Sequence, residues 1–192
     1  MNPRAARRYA GIGSRGTPAE VLALIEAIAV RLAGEGWVLR TGASPGADQA
    51  FYRGALAGGG SVELYLPWPG FEATAWERAR ESRVQVLERP SAAAYELAAR
   101  FYEPWSDRPW PELDAAAKAL LARDAHQVLG ADLRSPAEGV VCWTPDAGLD
   151  GSDPRSQGTG QALRIAAQLR ISVFNLARPE HARHLQQLGL PA

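Results

Sequence analysis

Residues 8–20 read RYAGIGSRGTPAE: a short apolar strand, a glycine-rich turn and the opening of a helix. The strand covers Arg8 to Ile12. Gly11-Ile12-Gly13-Ser14-Arg15-Gly16 then has the G-x-G-x-x-G spacing found where a parallel strand hands over to a helix. Thr17 is the expected N-cap, Pro18 the first helical position and Glu20 the closing residue of a capping box. Val21, Leu22, Ile25, Ile28, Ala29 and Leu32 follow at helical spacing, with Gly34 or Gly36 as the stop. The pattern returns twice. Trp37 to Arg40 reads as a strand entering Thr41-Gly42-Ala43-Ser44-Pro45-Gly46 and a helix over 47–56, and Gln157-Gly158-Thr159-Gly160-Gln161 opens a helix over 159–169.

Further strands are expected at 62–66, 84–87, 139–143 and 171–176, and further helices at 73–83, 92–101, 113–129 and 179–188. Thr144 to Gln157 is a polar, flexible run. Residues 102–111 hold three prolines and two tryptophans, so they form an irregular loop, and 1–7 is a short basic tail. Strands alternating with helices, without a linker or repeat, predict one doubly wound α/β domain over 1–192. Its sheet is mainly parallel, with helices on both faces.

In such a sheet every strand-to-helix turn lies on one carboxyl edge, where helix N-termini present unpaired N–H groups and a positive dipole end. Three glycine turns on that edge predict a pocket for a phosphate-bearing small molecule. The candidate ligand residues are Gly11, Gly13, Ser14 and Arg15; Thr41, Gly42, Ala43, Gly46 and Asp48; and Gly158, Thr159, Gly160 and Gln161. Asp48 serves either the helix dipole or the ligand. Trp68 and Trp143, each where a strand leaves the sheet, either stack on a base or cover the core. The second strand ends in Arg40-Thr41-Gly42 without the carboxylate that a ribose hydroxyl of NAD requires, which leaves Arg40 to be weighed against a 2′-phosphate.

Other chemistries are poorly supported. With 21 basic and 21 acidic residues the chain is neutral, which argues against non-specific duplex binding. There is no Walker lysine and no Ser-His-Asp or Cys-His arrangement. His181 and His184 read as a solvated helix face rather than a metal site, so neither metal nor cofactor is expected. Cys142, the single cysteine, reads as an inert buried thiol and suits a reducing cytoplasm. No apolar run approaches a membrane span and no signal peptide is visible.

The three turns in this order, with Glu63-Leu64-Tyr65-Leu66-Pro67-Trp68 and the continuation of the third turn through Ala162-Leu163-Arg164-Ile165-Ala166, resemble a known superfamily. It joins the DNA-processing protein A (DprA) core with the LOG-type nucleotide phosphoribohydrolases (the SLOG-like group), and the likeness is nearest to small stand-alone DprA-like members often found in phages. It leaves residues 73–121 uncovered. The resemblance implies a Rossmann-like nucleotide-binding fold, a nucleotide ligand at the turns and a homo-oligomer. The LOG motif P-G-G-x-G-T-x-x-E would place its glutamate at Ala162, and Arg155-Ser156-Gln157 replaces its leading residues, so binding without turnover is expected ahead of N-glycosidic hydrolysis. A carboxylate for hydrolysis would have to come from Glu20, Asp48 or Glu63. Single-stranded DNA is a third candidate ligand, through arginines and Trp105 and Trp110. Phe101, Tyr102, Trp105 and Trp110 are the expected subunit contact.

Overall fold

A computed structural model describes residues 6–77, 82–187 and 189–190. Six strands, β1 (Arg8–Gly13), β2 (Val38–Thr41), β3 (Val62–Tyr65), β4 (Val84–Leu87), β5 (Gly139–Trp143) and β6 (Ser172–Asn175), form one sheet. Its order is β4-β3-β2-β1-β5-β6, and every neighbouring pair is parallel. The helices are α1 (Ala19–Gly34), α2 (Ala47–Ala57), α3 (Ala73–Trp76), α4 (Ala92–Tyr102), α5 (Ala115–Leu129), α6 (Gln157–Gln168) and α7 (Pro179–Gln187).

The two-residue period of the strands sorts the core into two layers. Tyr9, Leu39, Leu64 and Val141 pack with Ile25 and Ile28 of α1 and Phe51 of α2. Ala10, Ile12, Val140 and Cys142 point the other way, onto Ala125 and Val128 of α5 and Leu163 and Ile165 of α6. Each large side chain buried this way contributes about 2 kcal/mol. The sheet is thus covered on both faces, a Rossmann-like arrangement. Strand order reverses between β1 and β5, and the crevice at their carboxyl ends is where ligands of open α/β sheets bind.

Several expectations are corrected. Thr17 does not cap α1: its hydroxyl donates to Ser14 O at 2.7 Å inside the turn, Pro18 takes the N-cap position, and no side chain closes a capping box. The third glycine motif is not a turn before a helix. A 3-10 turn over Pro154–Ser156, tied by Ser156 N–H to Asp153 O, runs directly into α6, so Gly158 and Gly160 lie within the first turn of that helix. The helix expected over 73–83 stops at Trp76. Arg83 lies in a turn, and 78–81, like residues 1–5 of the tail and Leu188, lie outside the described residues. Within 102–111, Tyr102 ends α4, and 3-10 turns occupy Glu103–Trp105 and Trp110–Glu112.

A cavity at the switch point

A cavity of about 260 Å³ opens at the carboxyl end of β1. The first glycine turn supplies Gly13, Ser14 and Arg15; the second supplies Ser44 and, in the first turn of α2, Asp48. Gly158 and Thr159 come from the first turn of α6. The remaining wall is α5, through Leu120, Arg123, Asp124 and Gln127.

The turns interlock at close range. Gly46 has φ +87°, and a Cβ there would lie 2.7 Å from Ser14 O, so only glycine lets the second turn close against the first. Gly42 likewise leaves the space that the Arg123 guanidinium occupies. Arg123 and Asp124 are 6% and 3% exposed, and Asp48 is 3% exposed. Arg123 Nη1 donates to Asp48 Oδ2 at 3.2 Å. Its Nε lies 3.0 Å from Asp124 Oδ1, but off the hydrogen-bond direction, which leaves that buried donor without an aligned acceptor. Backbone N–H groups of Ser44 and Gly13 also reach the Asp48 carboxylate. With its amide oriented to satisfy both neighbours, Gln127 donates to Asp124 Oδ1 at 3.1 Å and accepts from Gly42 N–H at 2.6 Å.

Burial dominates the ionisation of this cluster. It raises the Asp48 carboxyl against the Arg123 charge and the two N–H groups. It pushes Asp124 up to about 7, opposed by Arg123 and reinforced by the charge of Asp48. Two carboxyls that share one guanidinium are neutral together with it when they hold a single proton. The cavity floor therefore offers both a carboxylate acceptor and a carboxyl that gives up its proton near neutrality.

The other sequence candidates sit elsewhere. Gly11 faces Phe51 and Leu39 in the core. Thr41 is fully buried, donating to Gly11 O at 2.7 Å, and Ala43 is buried beside it. Gly160 and Gln161 turn away from the cavity; Gln161 donates to Ala98 O at 2.8 Å and accepts from Arg164 at 2.8 Å. Trp143 packs on the α1/α2 layer, and its carbonyl accepts Ser14 N–H at 3.1 Å. Trp68 lines a separate cleft. Arg40 is not available to a 2′-phosphate: it is 2% exposed and bonds Glu63 Oε2 at 2.7 Å and Ser135 O. Glu63 is held further by Arg8 and the Tyr65 hydroxyl, and Glu20 is exposed on α1, so neither carboxylate enters the cavity. Ala162 is buried in the α5/α6 layer.

Arg123, Asp124 and Gln127 were not singled out from sequence. The signal was present: Ala119, Ala122 and Ala125 set the buried stripe of α5, and Arg123 and His126 fall within it. His126 is structural. Its Nδ1 faces Gly130 O at 2.9 Å, its Nε2 accepts Ser91 N–H at 3.2 Å, and burial holds its pKa below the ordinary value, so the ring is neutral. Burial also raises the Cys142 thiol, as an inert thiol requires. Among the described residues no group of three or more His, Cys, Asp or Glu is placed to hold a metal ion, and no helix is long and apolar enough to cross a membrane.

Among the solved structures that match this chain are two that cover nearly all of it. DNA processing protein A (DprA) from Streptococcus pneumoniae superposes with TM-score 0.55 at 15% identity, covering 97% of this chain and 58% of that one. The fold is shared with DprA. The Moco carrier protein of Chlamydomonas rheinhardtii superposes with TM-score 0.50 at 16% identity, over 97% of this chain and 87% of that one. No protein-family model matches the chain, and no curated protein matches it either.

Proposed function

We propose that the chain binds a nucleotide or nucleotide derivative in the switch-point cavity, as a member of the DprA/LOG-like superfamily that its motifs resemble. One observation carries the reading: a helix N-terminus, a glycine turn and a buried Arg123–Asp48–Asp124 cluster converge on a single cavity. The α6 N-terminus and Arg15 suit a phosphate. Asp48 and Asp124 suit ribose hydroxyls, because a carboxylate accepts hydrogen bonds that a phosphate could not supply. Calorimetry against AMP, ADP-ribose, cyclic nucleotides and NAD(P) tests this. A ligand of the class binds and raises the melting temperature by mass action; no binding at millimolar concentration rejects the reading.

A second reading, N-glycosidic hydrolysis, rests on Asp124. Burial pushes its carboxyl up to about 7 at the cavity wall, toward the range that general acid–base work requires. Chromatography of nucleoside monophosphates incubated with the protein separates the two readings. Free base released by the wild type and abolished in Asp124→Asn establishes turnover; intact nucleotide establishes binding alone.

A further inference from the structure

A second cleft, of about 440 Å³, opens on the same carboxyl edge beyond β3 and β4. Pro67, Trp68 and Pro69 follow β3, Arg89 follows β4, Tyr95 comes from α4 and Ala119 from α5. Helix α5 is the wall common to both cavities. Ala115, Ala116 and Ala119 line the second cleft, and the next turns, from Leu120 to Gln127, line the first. From Ala116 to Gln127 the helix rises about 16 Å, so the two cavities lie in line along it.

The second cleft is built for a flat ring. Trp68 is 37% exposed, yet it is firmly braced. Phe71 meets its ring edge-on at 5.0 Å and 83°, and Phe71 N–H donates to Trp68 O at 3.2 Å. Prolines flank it on both sides, and Gly70 at φ +77° completes the turn. A large indole held rigid and left open supplies a stacking surface without an ordering cost. The alanines of α5 leave room opposite, and half-buried Tyr95 adds a second aromatic wall. Arg89 is exposed and forms no ion pair with the described residues, which leaves its guanidinium free to stack on a ring or meet an anion.

We propose that this cleft is a base subsite: Trp68 stacks on the nucleobase of a nucleotide whose sugar and phosphate occupy the switch-point cavity. The ligand is then a base-bearing nucleotide lying along α5, and a sugar phosphate alone is a poor substitute. This inference rests on the function proposed above.

Calorimetry with two probes, ADP and ribose 5-phosphate, tests it on the wild type, Trp68→Ala and Trp68→Phe, with melting temperatures as the control for folding. Base–aromatic stacking is worth roughly tenfold or more in affinity. The wild type is expected to hold ADP at least about tenfold tighter than ribose 5-phosphate. Trp68→Ala should erase most of that difference without changing ribose 5-phosphate binding, and Trp68→Phe should restore most of it. Equal wild-type affinity for the two probes rejects the base subsite, as does a Trp68→Ala variant that binds ADP normally or loses both probes equally; in each case the switch-point cavity stands. A wild type that binds neither probe rejects this inference, and the proposed function falls with it when AMP, ADP-ribose, cyclic nucleotides and NAD(P) fail to bind as well.

Discussion

Arg123 serves two buried carboxyls, and its surroundings make two single-residue outcomes measurable. The folded-state pKa of Asp124, about 7, lies above the ordinary 3.8, so the native protein keeps a proton that the unfolded chain has lost. The stability this supplies is complete below about pH 4 and is lost as pH rises to about 7. Asp124→Asn keeps the shape and does not titrate. Relative to wild type it should therefore gain stability with rising pH across that window, by up to about 1.4 kcal/mol per pH unit. Urea midpoints at several pH values check this, and parallel profiles contradict it. Gly42→Ala would drive a methyl into the Arg123 guanidinium and to within 2.5 Å of Asp48 Oδ2. A cost of about 2–3 kcal/mol is expected in the same unfolding experiment. A neutral substitution would mean that the cluster is not packed as described.

At the level of elements, α5 places the chemistry and its own N-cap places α5. Asp114 accepts Ala117 N–H at 2.7 Å, and Asp114→Ala should cost about 1 kcal/mol by thermal unfolding. The strands and most helices were legible because their apolar periods, caps and glycine stops agree with one another. Asp48 was legible for the same reason, as an acidic residue in a first turn behind a glycine. The start of α6 was not: Ser156 bonds the Asp146 carboxylate at 2.9 Å, and that tertiary contact starts the helix ahead of its glycines. The Thr17 cap failed because its hydroxyl had a nearer acceptor in Ser14 O. Arg123 and Asp124 were hidden because a charged pair on a helix ordinarily faces water. The alanine stripe of α5 marks the buried face, and packing against the second glycine turn shows what holds Arg123 within it.

For the molecule as a whole, the sheet gathers its turns at one edge and leaves an apolar groove elsewhere. Trp105, 51% exposed, and Leu169, 48% exposed, line that groove with Phe101 and Leu133, whereas Trp110 tucks against Tyr102 at 5.8 Å. Self-association is expected to bury Trp105. Light scattering at micromolar protein checks this: an oligomer that weakens in Trp105→Ala supports it, and a monomeric wild type contradicts it. The central claim is that the ligand sits between the first turn and α6, and Gly158 offers the most direct test. A Cβ there meets nothing within 4 Å and Gly158 lines the cavity, so Gly158→Phe starts in open space and is expected to crowd the ligand rather than the core. The deciding measurement is calorimetry of ADP binding to the wild type and to Gly158→Phe at matched melting temperature. The expected result is binding by the wild type and at least about a tenfold loss in the variant; a variant that binds ADP as tightly as the wild type contradicts the claim.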